Sequence, residues 1–253
     1  WRSNTEEERL LGVSLTGIMD CAILHRPDSD KTLKLLKDTV IATNKKWSKL
    51  LGIPQSTATT CVKPSGTVSQ LTDSASGIHA RHAPYYVRTV RGDVKDSLTQ
   101  FLMNQNIPNE PDFNSPSNTV VFSFPFKSPD AAICRTDIKA LEQLHTWKRF
   151  SDHWCEHKPS VTVSVKEHEW IEVGNWCYKN FDSLSGISFL PFSDHSYRQA
   201  PYQDSTKKDY NKLCAAMPKS IDWKEFDNYE KEDNTKASQE LACSAGVCEI
   251  VDI

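Results

Sequence analysis

The sequence lacks the features that place a protein in a membrane, outside the cell or along nucleic acid. Its formal net charge is −3 and its isoelectric point about 6.3, which argues against a protein that coats nucleic acid. No apolar run reaches membrane-spanning length, and residues 1–8, with three glutamates, do not form a signal peptide. With 38% hydrophobic residues, we expect a cytoplasmic globular protein with neither a nucleic-acid nor a membrane partner.

The cysteines do not indicate a disulfide framework or a metal centre. Of the 8 cysteines, most are scattered at long spacings, which favours reduced thiols in a chain of this size without a signal. A zinc site needs four ligands, and no Cys-His-carboxylate grouping has suitable spacing. We therefore predict no metal site. The sequence also lacks an initiating Met, from which we expect a fragment or a processed product.

A Walker loop is absent, but another phosphate-binding pattern is present at residues 61–71, CVKPSGTVSQL. Pro64 should end the strand before it, and Gly66 lets a ligand approach the backbone closely. The first amides of a following helix attract anions, and hydroxyl groups and Lys63 add donors and charge. The predicted phosphate-binding residues are Pro64, Ser65, Gly66, Thr67, Val68 and Ser69. On these residues alone, a capped strand-to-helix turn without a ligand is equally compatible.

The hydrophobic pattern alternates between strands and helices. Strands are predicted at 10–18, 56–62, 85–90, 118–126, 160–165 and 186–192, and helices at 28–51, 94–105, 136–157, 167–181 and 206–217. This order predicts βαβ units in a mainly parallel sheet or barrel. The polar segment at 223–240 predicts a solvated helix or a flexible tether.

Cys243 and Cys248 form a second candidate site at the end of the sequence. Small or flexible residues separate them, so the two thiols can approach disulfide distance and exchange with other disulfides. Half of a zinc site, or two idle thiols, are the alternatives.

A group of aromatic and cationic residues follows the candidate phosphate loop. His79, His82, Tyr85 and Arg88 are candidates for lining a cofactor pocket, although a single histidine is more often a hydrogen-bonded structural residue.

Together these segments resemble the C-terminal part of adenosylcobalamin-dependent (class II) ribonucleotide reductases, most closely the monomeric ribonucleoside-triphosphate reductases. The resemblance is carried by LLGVSLTGIMD, the KPSGTVSQL loop, GISFLPF with YRQAPYQ, and the terminal Cys-x4-Cys. It implies an α/β fold, namely the second half of a ten-stranded barrel over residues 1–205, and a flexible redox tail over residues 206–253.

The resemblance also implies roles for the candidate residues. Pro64 to Ser69 would bind the phosphates of a ribonucleoside triphosphate, and Cys243 with Cys248 would re-reduce the active site and be recharged by thioredoxin. Cobalamin contacts are expected from His79, His82, Tyr85, Arg88, Tyr197, Gln199 and Pro201. In this family a thiyl radical, formed by cobalt–carbon homolysis, takes the 3′ hydrogen of the ribose.

One family motif is missing. The radical cysteine lies in an Asn-Pro-Cys-Gly-Glu loop, and this sequence has none. We therefore expect the chain to be inactive alone and to require the N-terminal part of the enzyme, from the same precursor or a separate chain, with the allosteric specificity site upstream. A reductase with another radical generator, or a non-catalytic nucleotide-phosphate-binding module, are the alternatives.

Overall fold

The structure, a computed structural model, describes residues 1–192 and 197–230, and the chain divides into two compact units. Of the described residues, the first unit contains 1–84 and 127–192, and the second contains 85–126 and 197–230. No helix in these ranges combines the length and the apolar character needed to cross a membrane.

Strands and helices alternate along much of the described chain. The strands are β1 (Val13–Ser14), β2 (Thr60–Cys61), β3 (Tyr85–Asp93), β4 (Asn109–Pro111), β5 (Thr119–Lys127), β6 (Val161–Val165), β7 (Ile187–Pro191) and β8 (Tyr202–Asp204). The α-helices are α1 (Arg2–Glu8), α2 (Ala22–His25), α3 (Asp30–Leu51), α4 (Val68–Leu71), α5 (Ser97–Asn104), α6 (Ala140–His153), α7 (Trp170–Lys179) and α8 (Lys207–Ala216). Short 3₁₀ segments lie at Ile18–Asp20, Glu167–Glu169, Phe181–Ser183 and Trp223–Asn228.

The first unit contains two pairs of parallel strands. β1 pairs with β2, with Val13 opposite Thr60, and β6 pairs with β7, with Val161 opposite Ile187. Parallel strands need a crossover connection, which α3 supplies for the first pair and α7 for the second. The predicted βαβ units are thus confirmed in this unit.

The core of the first unit supports the end of β2. Trp147 and Phe150 lie in α6, and Trp154 follows directly after it. All three side chains are at most 2% exposed and pack with Val163 of β6. The indole Nε1 of Trp154 donates a 2.8 Å hydrogen bond to the carbonyl oxygen of Cys61. The last residue of β2, immediately before the candidate phosphate loop, is therefore anchored to the core.

The second unit is built on a different sheet from the one predicted. Its strand order is β4-β5-β3-β8, and both β4 with β5 and β3 with β8 pair antiparallel. The expectation of a mainly parallel sheet is therefore wrong for this unit. Only β4 and β5 are joined by a short connection, residues 112–118, whereas residues 94–201 separate β3 from its partner β8. The hydrophobic pattern of each strand does not identify a partner at that distance.

Most predicted elements are confirmed, with ends shifted by a few residues. The predicted helices correspond to α3, α5, α6, α7 and α8, and the later strands to β3, β5, β6 and β7. The strands predicted at 10–18 and 56–62 are wrong in length, since β1 and β2 have two residues each. A strand extends only as far as a neighbouring strand pairs with it, and here the pairing covers two residues. Leu10 and Leu11, before β1, are about half exposed.

The polar segment that begins at Trp223 also differs from the prediction. Trp223, Phe226 and Tyr229 surround the fully buried ring of Phe101 in α5, with ring centroids 5.3 to 5.6 Å from it. Residues 223–229 are therefore not a free tether: they form a largely exposed 3₁₀ helix and the residue after it, and their aromatic side chains contact α5. Residues 231–240 lie outside the described residues.

Candidate phosphate-binding site

The candidate phosphate loop follows the carboxyl end of β2, as predicted. Ligands of parallel α/β folds bind at such strand ends. Gly66, Thr67 and Val68 are exposed, and Pro64 precedes them at the start of the loop. The helix that follows, α4, has only four residues, so its dipole contributes little.

Four consecutive backbone amides are the main hydrogen-bond donors that the loop offers to an anion. Within the described chain, the N–H groups of Gly66, Thr67, Val68 and Ser69 have no hydrogen-bond partner. Successive backbone N–H groups in a turn can form an anion-binding concavity. Ser69 is buried, whereas the three residues before it face solvent. The amides of Gly66, Thr67 and Val68 are therefore open to solvent or to a ligand.

The hydroxyl groups of the loop have different surroundings. Ser65 Oγ lies 2.9 Å from Thr16 Oγ1, and Ser69 Oγ donates to the carbonyl oxygen of Ser65. The hydroxyl of Thr67 has no partner among the described residues, and it does not cap α4. Lys63 is exposed, and its Nζ donates a 2.8 Å hydrogen bond to the Lys158 carbonyl oxygen.

A buried ion pair fixes the far end of the loop. The Arg81 side chain is 3% exposed and lies 2.9 Å from Asp20 and 3.1 Å from Asp73. Asp20 also accepts a 2.7 Å hydrogen bond from the Ala75 amide.

Gly77 adopts a left-handed φ of 54°, and a Cβ there would lie 2.7 Å from the Lys63 carbonyl oxygen. The segment after α4 thus folds back onto the residue that begins the loop.

Three residues that hold the loop, Thr16, Asp20 and Arg81, were not predicted from the sequence as parts of the site. Thr16 lies two residues after β1, and Arg81 lies beyond the loop, so both reach it only through the fold. Their signal in the sequence was weak, namely a Thr-Gly pair and an aspartate after a presumed strand.

His79 is a structural residue in this fold. Its Nδ1 donates to the Ser76 carbonyl oxygen at 3.0 Å, and its Nε2 accepts a 3.0 Å hydrogen bond from the Thr162 amide. Burial lowers the pKa of His79, only partly offset by the bond to Ser76. The neutral ring with the proton on Nδ1 satisfies both contacts. His82 is half-buried and also has an interaction partner.

The other predicted cofactor residues lie in the second unit. Gln199 is 4% exposed, and its Nε2 donates to Glu110 and to the Pro111 carbonyl oxygen. Arg88 lies over the Tyr202 ring at 4.7 Å, and the Tyr85 ring is 5.2 Å from that of Tyr210. Of the remaining predicted residues, Tyr197 is 66% exposed and Pro201 is exposed.

The predicted redox cysteines, Cys243 and Cys248, lie outside the described residues. The described thiols include Cys61 and Cys155, which are both buried. Burial, together with the neighbouring Cys61, raises the pKa of Cys155 to about 12, so this thiol stays protonated and is a poor nucleophile.

Comparison with known proteins agrees with this architecture. No protein-family model matches the chain. A crystal structure of a B-12 dependent (class II) ribonucleotide reductase superposes with a TM-score of 0.79 and 23% identity, covering 90% of this chain and 36% of that one. The chain therefore has the fold of a part of a class II ribonucleotide reductase.

The sequence comparison is more specific. The chain is 26% identical over 282 residues to the adenosylcobalamin-dependent ribonucleoside-triphosphate reductase of Lactobacillus helveticus, covering 98% of this chain and 37% of that protein. It is 30% identical over 214 residues to a probable enzyme of this type from Dictyostelium discoideum, covering 82% and 27% respectively. The chain is thus homologous to a part of the adenosylcobalamin-dependent ribonucleoside-triphosphate reductases and spans about a third of their length.

Proposed function

We propose that the chain supplies the substrate-phosphate site of an adenosylcobalamin-dependent ribonucleotide reductase that acts on ribonucleoside triphosphates. The observation that carries the proposal is the set of four unpartnered backbone amides at Gly66–Ser69, in a chain homologous to these reductases over 98% of its length. The ten-stranded barrel belongs to this proposal, since the chain spans only part of its relatives.

Phosphate oxygens would accept hydrogen bonds from these amides and from the Thr67 hydroxyl. Hydrogen bonds to a charged acceptor are about twice as strong as neutral ones, and the ammonium group of Lys63 adds charge nearby. The Arg81 ion pair keeps the loop in shape without facing the ligand. The loop therefore binds one end of the substrate and leaves the ribose to groups elsewhere.

Adenosylcobalamin would supply the radical chemistry in the assembled enzyme. The predicted contact residues fit this cofactor unequally. His79 has no free ring nitrogen, and both amide hydrogens of Gln199 are engaged, so neither offers a polar donor. Tyr197 and Pro201, which are exposed, are the stronger candidates, and Tyr85 and Arg88 contact neighbouring aromatic rings.

Cys243 and Cys248 are proposed as the dithiol that thioredoxin recharges. Glu230, the last described residue, precedes Cys243 by 13 positions, which limits the separation of their Cα atoms to about 45 Å in any conformation. The reach of the redox pair is therefore counted from residue 230, whereas the predicted tether began at residue 223.

The dithiol has a direct test. In the assembled enzyme, the double Cys243→Ser and Cys248→Ser variant should lose turnover with thioredoxin and keep turnover with dithiothreitol, which reaches the active site by itself. Cys214, which is exposed, provides the matched single Cys→Ser control. An unchanged thioredoxin-dependent rate would show that this pair is not the shuttle.

An apolar groove in the first unit supports the proposal that the rest of the enzyme packs against this chain. Its volume is about 590 Å³, and its lining includes Leu10, Leu11, Val13, Val40, Trp47 and Leu51. Trp47 is 50% and Leu51 63% exposed, and a contiguous exposed apolar surface of this kind is typical of an interaction site. We propose that an apolar segment from the N-terminal part of the reductase occupies this groove, in the same precursor or as a separate chain.

This partner is tested by reconstitution. The 253-residue chain with adenosylcobalamin, a ribonucleoside triphosphate and dithiothreitol should produce no deoxyribonucleotide. Adding a polypeptide with the Asn-Pro-Cys-Gly-Glu loop should produce turnover, and Trp47→Asp should abolish this gain. Turnover by the chain alone would contradict the proposal. Turnover of the assembly without adenosylcobalamin would favour another radical generator.

A further inference from the structure

The hydroxyl group of Thr16 joins both ends of the phosphate loop. Thr16 Oγ1 lies 2.9 Å from Ser65 Oγ at the start of the loop. It donates a 3.0 Å hydrogen bond to the Ala75 carbonyl oxygen and accepts a 2.9 Å hydrogen bond from the Gly77 amide. One side chain, which follows β1, therefore contacts two segments that are separated by α4.

The direction of the Thr16–Ser65 hydrogen bond follows from counting protons. A carbonyl oxygen only accepts, so the single hydroxyl proton of Thr16 goes to Ala75. Ser65 must then be the donor to Thr16, which uses the proton of Ser65 as well. The hydroxyl proton of Ser69 goes to the Ser65 carbonyl oxygen. Both serines of the loop are thus engaged as donors within the protein.

Unlike the hydroxyl groups of Ser65 and Ser69, that of Thr67 is not engaged as a donor within the described part of the protein. Its hydroxyl has no partner among the described residues, and it lies on the exposed part of the loop next to the unpartnered amides. Its proton is available to a ligand without breaking a hydrogen bond of the protein.

We propose that Thr16 is a positioning residue for the phosphate loop, that Ser65 acts as its structural donor, and that Thr67 provides the hydroxyl that binds phosphate. This inference rests on the proposed phosphate site. It divides three hydroxyl residues that look equivalent in the sequence into two different roles.

Binding of inorganic tripolyphosphate to the full chain, measured by titration calorimetry, tests this division. Thr16→Val should weaken binding about tenfold, because it removes the contacts to both loop ends, whereas Thr16→Ser should stay within about twofold of wild type. Ser65→Ala should weaken binding, and the double variant Thr16→Val/Ser65→Ala should bind no more weakly than Thr16→Val alone. Thr67→Val should weaken binding about fivefold and add fully to Thr16→Val.

The matched control is Thr43→Val, which removes an exposed hydroxyl bonded only to the Thr39 carbonyl oxygen of α3. It should leave tripolyphosphate binding unchanged. Additive losses for Thr16→Val and Ser65→Ala would overturn the proposal, because they would show that Ser65 contacts phosphate directly. Unchanged binding by Thr16→Val or by Thr67→Val would overturn it as well.

Amide hydrogen exchange of the ligand-free chain separates this inference from the proposed function. Thr16→Val should accelerate exchange in residues 74–77, whose amides at Ala75 and Gly77 are hydrogen-bonded, and Thr16→Ser should not. If wild type shows no tripolyphosphate binding but this exchange pattern holds, the phosphate function is wrong and the positioning role stands. If the exchange is unchanged, the positioning role is wrong.

Discussion

At the scale of single residues, two glycines of the site have opposite functions. Gly77 is required by the fold, since its φ is left-handed and a side chain would meet the Lys63 carbonyl oxygen. Gly66 has no positive φ, and nothing lies within 4 Å of where its Cβ would be. Folding therefore does not require the absence of a side chain at Gly66, which under the proposed function would serve the approach of a ligand.

These glycines give a paired prediction. Gly77→Ala should lower the free energy of unfolding by about 1–3 kcal/mol, through backbone strain and the contact with Lys63. Gly66→Ala should change it by less than about 0.5 kcal/mol and still weaken tripolyphosphate binding. Urea unfolding and titration calorimetry measure the two effects. A destabilised Gly66→Ala protein would contradict the geometry of the loop.

His79 gives a prediction for pH. Burial lowers its pKa in the folded state from 6.5, so the unfolded chain binds this proton more readily. The stabilising contribution is therefore complete above pH 6.5 and is lost as the pH falls toward the folded pKa. Between about pH 7.5 and 5.5, wild type should lose more unfolding free energy than His79→Gln, by up to about 1.4 kcal/mol per pH unit. Parallel pH profiles of the two proteins would contradict this assignment.

The residues that could be predicted from the sequence are those with local causes. Pro64 and Gly66 mark the loop through backbone preferences that each carries by itself. Thr16 and Arg81 act through partners that are distant in sequence, so only the fold brings them to the loop. The structural role of His79 was not predictable for the same reason, since its partner Thr162 lies in β6, far away in the sequence.

At the scale of elements, long amphipathic helices were predictable and short strands were not. α3 and α6 carry their own periodic pattern and end at identifiable signals, such as the left-handed Gly52 after α3. β1 and β2 are defined by each other through a two-residue pairing, which no local pattern specifies. The antiparallel sheet of the second unit depends in the same way on partners distant in sequence.

The 3₁₀ segment Trp223–Asn228 gives a prediction at this scale. Phe226→Ala should lower the unfolding free energy by about 1–3 kcal/mol and accelerate amide exchange in α5, because it uncovers Phe101. Lys224→Ala, an exposed change in the same segment, is the matched control. Equal exchange in the two variants would show that the segment is not docked on α5.

At the scale of the whole molecule, the chain carries a proposed phosphate loop and corresponds to only part of its reductase relatives. It spans 37% of the Lactobacillus helveticus enzyme, and its sequence contains no Asn-Pro-Cys-Gly-Glu loop. An exposed apolar groove lined by α3 and the residues around β1 is consistent with a further polypeptide segment. Phosphate binding and radical chemistry would then come from different parts of one assembly.

The central claim is that the Gly66–Ser69 amides bind the phosphates of a ribonucleotide. Amide chemical shifts of the isotope-labelled chain, followed by NMR during titration with a ribonucleoside triphosphate, test this directly. The account predicts that the largest shifts occur at Gly66, Thr67, Val68 and Ser69, that tripolyphosphate reproduces them, and that Gly66→Ala weakens them. Shifts centred elsewhere in the chain, or none at these four amides at saturating nucleotide, would contradict it.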